Sequence, residues 1–144
     1  MKMSTKGRYG LRAMVDLAAH GEHGHVPLKI IAQRQALSEN YLEQVFSILR
    51  KAGMVRSIKG AQGGYVLADM PKSIGVGTIL KALEGDIRIV DPASSPEPGS
   101  VGHCIDAHVW QRINKKVNSL LEGITLEDLL EEYNSISQAG TYHI

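Results

Sequence analysis

The apolar period of the chain changes between residues 28 and 68, and this change restricts the fold more than any other feature. Leu28, Ile31 and Ala32 recur as one face of a short helix, and "QAL" then reads as a turn. Leu42, Val45, Phe46 and Leu49 follow at i, i+3, i+4 and i+7, the spacing of a longer helix with one buried side. Past Gly53, "MVRSI" and "YVLA" alternate around "KGAQGG", which predicts two short strands and a turn. Ser38 stands where the longer helix begins, as an N-cap. Leu37 before it and Leu42 after it then form a hydrophobic staple that fixes the entry angle. Glu39 suits the positive end of the helix dipole. The opposite face presents Asn40, Glu43, Gln44, Ser47 and Lys51.

Two helices across a tight turn, followed by a small hairpin, make the winged helix-turn-helix pattern. The rest of the chain flanks it. Ser4 or Thr5 can cap a first helix running to about His20, with Leu11, Met14, Val15 and Ala18 on one face. "HGEHGHVP" breaks that helix, and its histidines read as solvated loop residues without an acidic or cysteine partner at useful spacing. A further helix carries Val76, Ile79, Leu80 and Leu83 inward and stops at Gly85. Residues 86–103, rich in Pro, Ser and Gly, read as a loop. A long helix from near Cys104 to Glu122 follows, with Ile105, Val109, Ile113, Val117, Leu120 and Leu121 as an apolar stripe. So small a chain has little core left to cover this stripe. Symmetric pairing with a second chain is the expectation, and packing back on its own domain the alternative. Thr125 can cap a last helix with Leu126, Leu129, Leu130 and Tyr133 inward, and the tail is uninformative.

The expected fold is therefore mainly α with a small β-hairpin wing. A winged helix-turn-helix unit over 1–85 holds the recognition-type helix at 38–52 and the wing at 54–68. A loop over 86–103, a dimerisation helix and C-terminal helix over 104–133, and a tail over 134–144 complete it. The chain of 144 residues carries a formal charge of +1, which hides an asymmetry. Residues 1–68 hold ten Lys and Arg against four acids, and residues 69–144 hold six against eleven. A basic half before an acidic half suggests a polyanion-binding module joined to a non-binding one. The wing turn fits that reading. Lys59, Gly60, Gly63 and Gly64, with Arg56 nearby, make a basic tip of little bulk that can approach a sugar-phosphate backbone. Turn geometry alone is the other reason for such glycines. The turn lacks the spacing of a nucleotide-binding loop. No apolar run approaches the roughly 20 residues of a membrane span. One cysteine cannot form an internal disulfide, which agrees with a reducing compartment and a cytoplasmic location. No Ser-His-Asp or paired-carboxylate constellation appears, so an enzyme is not expected.

"STKGRYGLRAM", "SENYLEQVFSILRKAGMVRS", "KGAQGGYVLA" and "TILKALEG", together with the long helix, resemble the IscR/NsrR/CymR-type (Rrf) family of winged helix-turn-helix regulators. The resemblance covers roughly residues 1–133. It implies a cytoplasmic homodimer on pseudo-palindromic double-stranded promoter DNA, acting as a transcriptional regulator, most naturally a repressor. Carried over, the helix from Ser38 resembles the recognition helix, with Asn40, Glu43 and Gln44 facing base edges. Lys59 and the wing glycines would lie at the minor groove. Lys6, Arg8, Tyr9 and Arg50 would position the dimer through phosphates.

Cluster-binding members of that family use spaced cysteines and a histidine. Here Cys104 matches the last cysteine by its distance to Trp110, while Pro92 and Pro98 occupy the upstream positions. Ala107 takes the histidine position and His108 is displaced by one. An iron-sulfur cluster needs several thiolates, and the ligand count argues against it, so no cofactor is expected. Three readings of Cys104 with His103 and His108 stay open: a metal site between subunits, a redox-sensing thiol, and a cysteine that merely starts the dimerisation helix. The missing ligands give the chain its strongest resemblance to the cysteine-metabolism repressors of the family, which implies a cysteine-biosynthetic enzyme as a partner. A winged-helix protein-interaction adaptor without DNA readout, and a cluster sensor with atypical ligands, are the rival functions.

Overall fold

A computed structural model describes residues 2–90 and 96–141. Helix α1 spans Thr5–His20, α2 Leu28–Gln35 and α3 Glu39–Lys51. Strands β1 (Val55–Ile58) and β2 (Gly64–Leu67) pair antiparallel, Val55 opposite Leu67 and Ile58 opposite Gly64. Helix α4 spans Val76–Glu84, α5 Val101–Ile105, α6 Gln111–Glu122 and α7 Leu126–Thr141. The fold class is as expected: mainly helical, with one hairpin. Among the described residues, no helix is long and apolar enough to cross a membrane.

The α2–α3 turn closes because Ala36 adopts a left-handed φ of 55°, and Leu37 then packs on the core cluster that holds Leu42. Ser38 caps α3, its Oγ accepting the Tyr41 N–H at 3.3 Å. Inside, Phe46, Met14, Leu17, Ile31, Leu42 and Leu49 are fully buried. Phe46 lies 4.9 Å from the Tyr65 ring, which seats the wing on α3. The segment before α2 also reaches the wing. Val26 and Tyr65 exchange two backbone hydrogen bonds of 2.9 Å, so the sequence read as an open loop supplies a bridge to the hairpin.

Several expectations change. The inner face of α1 is Ala13, Met14, Leu17 and Ala18, and Leu11 and Val15 are only half-buried. Ser4 sits at the N-cap position but does not cap α1. Its hydroxyl donates to Glu84 Oε1, and the same carboxylate takes the Gly7 N–H at 2.7 Å. The C-terminal helix does not start at Cys104. Ser100 caps it by accepting the His103 N–H at 3.1 Å, so Val101–His103, placed in the loop by composition, are helical. Between α5 and α6, Asp106–Trp110 form a π turn, closed by Gln111 N–H donating to the Asp106 carbonyl. The four-residue spacing of Ile105, Val109 and Ile113 exceeds the 3.6-residue α period, and one wider turn absorbs the drift. All three end near equal exposure, at 42%, 38% and 37%.

The proposed dimerisation stripe divides. Val117 and Leu121 pack against Val76, Leu80 and Ile87 of their own chain, whereas Ile105, Val109, Ile113 and Leu120 stay exposed. Thr125 and Asp128 cap α7 reciprocally: Asp128 N–H donates to Thr125 Oγ1 at 3.1 Å and Thr125 N–H to Asp128 Oδ2 at 2.9 Å. Leu126 is fully buried, but Tyr133 is 46% exposed, so the inward face of α7 ends earlier than its period suggested. The tail is not featureless, since α7 continues to Thr141.

Candidate nucleic-acid interface

Burial of Leu42, Val45, Phe46 and Leu49 turns the other side of α3 outward. Asn40, Glu43, Gln44 and Ser47 line one shallow hollow on that face, with Asn40, Glu43 and Gln44 exposed. Ser38 is at the same end, with its oxygen committed to the cap. Arg50 is exposed in the last turn, where a cation also suits the helix dipole.

The N-terminal turn of α1 is tied to the start of α3. Tyr9 packs edge-on to Tyr41 with centroids 6.1 Å apart, and Thr5 Oγ1 lies 3.2 Å from the Tyr41 hydroxyl. Arg12 stands over the Tyr9 ring at 5.3 Å and Arg8 at 6.0 Å. The exposed Lys6 and Arg8 therefore sit beside the α3 end that carries Asn40. Two basic residues and three polar side chains, distant in sequence, are brought to one edge of the module. Glu84 holds this turn from behind through Ser4 and Gly7. A Cβ on Gly7 would meet Glu84 Oε1 at 2.6 Å, so a larger residue there would push the Glu84 carboxylate out of its present position.

The wing tip has the predicted composition for more than one reason. Lys59 is exposed and Gly60 has a φ of 120°. Gly63 and Gly64 have packing reasons of their own. A Cβ at Gly63 would lie 2.3 Å from the Ile58 carbonyl oxygen, and one at Gly64 would lie 2.5 Å from that of Val26. His25 Nε2 bonds the Gln62 carbonyl, which anchors the tip to the loop before α2.

One buried charge orders the helix-turn-helix from within. The Asp16 side chain is fully buried on α1. Its carboxylate accepts from Arg34 Nε at 3.0 Å, from Arg34 NH2 at 2.7 Å and from Gln35 Nε2 at 2.9 Å. Asp16 raises the Arg34 pKa above its ordinary value, chiefly through this hydrogen bond, against a smaller opposing effect of burial. His20 Nδ1 also lies 3.5 Å from Asp16 Oδ1. The acidic partner denied to that histidine on spacing thus exists one helical turn away. The sequence signal for this network was an acid inside the apolar face of α1, between Ala13 and Leu17.

At the other end of the molecule, Cys104 and His108 are exposed. His103 Nδ1 accepts the Gly99 N–H at 3.1 Å, and Asp106 accepts from Gln111 Nε2 at 2.5 Å. His108 lies within the π turn, and Cys104 in α5 before it. Pro92 lies outside the described residues, and proline has no ligating side chain in any case. Among the described residues, no three His, Cys, Asp or Glu side chains gather as a metal site would need. With a single cysteine in the chain, the donor set does not fit an iron-sulfur cluster.

A polar-faced second helix, a basic helix end beside it and a glycine-tipped wing define a winged helix-turn-helix DNA-binding module. The chain belongs to the Rrf2 family, described as "Iron-dependent Transcriptional regulator", whose model matches residues 3–132. It is similar to the HTH-type transcriptional regulator CymR of Bacillus subtilis, at 46% identity over 145 residues and all of both chains. IscR of Aliivibrio salmonicida is 38% identical over 140 residues, covering 97% of this chain and 83% of that one. The solved structure titled as CymR, "the Global Cysteine Regulator of B. subtilis", overlays with a TM-score of 0.79, covering 92% of this chain and 98% of the other. The protein is a DNA-binding transcriptional regulator.

Proposed function

We propose that the protein represses promoters as a homodimer, each α3 lying in the major groove of one half-site. The observation that carries this reading is the Tyr9–Tyr41 contact, which sets the basic end of α1 beside the polar face of α3. Asn40 and Gln44 can pair with adenine, and Glu43 can accept from a cytosine amino group. Lys6, Arg8, Tyr9 and Arg50 hold phosphates and fix the register. Lys59 and the wing tip follow the backbone into the minor groove. The exposed Ile105, Val109 and Ile113 face a second copy across the dimer. A signal tied to cysteine metabolism is supported by likeness over the whole chain to CymR, a global cysteine regulator, while its delivery by a cysteine-biosynthetic enzyme rests on the family resemblance alone.

Gln44→Ala is expected to cost about 1–3 kcal/mol on operator DNA and little on random DNA. Lys6→Ala weakens both alike and lowers the salt slope by about one. Fluorescence anisotropy at several salt concentrations separates the two. Equal losses on operator and random DNA for Gln44→Ala would remove the base-reading role, and binding without salt dependence would favour an adaptor.

A further inference from the structure

Helices α1, α2 and α7 enclose an open cleft of about 420 Å³, within the range of small-molecule sites. Its walls are mainly aliphatic: Leu11 and Val15 from α1, and Leu129 and Ile136 from α7. Its back is held rigid, because Asp16 there is fixed by Arg34 and Gln35. Tyr133 and Ile136 line it while 46% and 63% exposed, a large apolar surface that the chain leaves uncovered. Arg8 and Arg12, one helical turn apart, complete the lining. Neither has an acidic ion-pair partner among the described residues. Arg12 uses one N–H on the Gln35 carbonyl at 2.5 Å and keeps others to donate. Glu132 also borders the cleft, and it repels any second negative charge.

We propose that this cleft is an effector site for a small amphipathic monoanion, an apolar body bearing a single carboxylate. The carboxylate pairs with Arg8 and Arg12, and the body covers Val15, Tyr133 and Ile136. Two guanidiniums without an acidic partner among the described residues select the charge, Glu132 limits it to one, and the aliphatic walls select the body. The regulatory consequence rests on the phosphate role proposed for Arg8. A ligand that holds Arg8 withdraws it from the DNA backbone, so ligand and operator oppose each other.

The test begins with the operator affinity of the unliganded full chain. Octanoate and 4-phenylbutyrate are then titrated by calorimetry, with succinate as the dianion control. Saturable binding of both monoanions, none of succinate, and operator affinity lowered about ten-fold at saturation are expected. Ile136→Glu, outside the DNA-facing residues, should keep the unliganded operator affinity and lose both octanoate binding and its effect. Arg12→Ala should lose the heat of octanoate binding. Absence of binding, or binding that survives both substitutions, overturns the site. Binding that leaves operator affinity unchanged overturns the coupling through Arg8. If a second copy covers the cleft, octanoate gives no heat and Ile136→Glu sediments as a monomer, which also overturns the site. Failure to bind operator before any ligand is added counts against the DNA reading instead, and the calorimetry still judges the cleft.

Discussion

The winged module and the C-terminal arm are built from similar apolar spacing, yet they bury it differently. In the module, Leu42, Phe46 and Leu49 are fully buried. In the arm, no residue of α5, the π turn or α6 is buried. Local period therefore predicts which face is apolar, and burial of that face depends on what the rest of the chain can supply. The module closes its own core around α3. The arm gives Val117 and Leu121 to the same chain and leaves Ile105, Val109 and Ile113 facing outward.

The comparison is broken most severely by Phe46→Ala. This side chain is fully buried between α3 and the wing, so its loss should destabilise the module by about 3–5 kcal/mol, read by urea unfolding. A cost below about 1 kcal/mol would mean that the core does not rest on α3 as described.

Asp16→Ala comes next. It leaves Arg34 without its carboxylate and Gln35 without an acceptor, at an expected cost of about 2–3 kcal/mol. The cost lies at the lower end for buried pairs because the Arg34 side chain is 33% exposed and water can replace part of the contact. The Arg34 pKa is raised on folding, so its contribution is complete below the unfolded arginine value and is lost only as pH rises through the higher folded one. Stability between neutral and moderately alkaline pH should accordingly not change through Arg34. A loss on raising pH to 9, absent from Asp16→Ala, would contradict this assignment.

How much of the molecule its sequence displays follows the same division. Elements set by neighbours in sequence were legible: α2 by Leu28, Ile31 and Ala32, α3 by Ser38 and its staple, α4 by Val76 to Leu83. The exposed polar face of α3 was legible for the same reason, since Asn40, Glu43 and Gln44 are residues left when its core face is removed. Pairings across long separations were not. Glu84 caps α1 from 77 residues away, and no local pattern distinguishes it from a solvated acid at a helix end. The bridge from Val26 to Tyr65 was hidden in a Gly-rich stretch, because one pair of backbone bonds leaves no periodicity. The wing glycines were legible as a turn, but the need for Gly64 arises from the Val26 carbonyl, which only the fold brings near. The early start of the C-terminal helix was missed because Pro, Ser and Gly composition outweighed the cap at Ser100.

Ile113→Glu should have the smallest effect on the module and the sharpest effect on the arm. Ile113 belongs to neither core cluster of its own chain, so unfolding of the module should change by only about 1 kcal/mol or less. In the homodimer proposed above, pairing through this stripe would bring two such carboxylates together, their repulsion opposes association, and in sedimentation the protein should become monomeric. DNA binding then changes in a particular way. Two recognition helices on one dimer match half-sites about 34 Å apart, whereas a monomer reads one half-site. The variant should bind an isolated half-site as the parent does, and lose the advantage of a full palindrome. If it stays dimeric and keeps that advantage, the exposed stripe is not the interface, and the pairing surface must be sought on α7 or at Leu120. A monomer that still prefers the palindrome would break the comparison differently, since the module would then be dimerising on DNA without the arm.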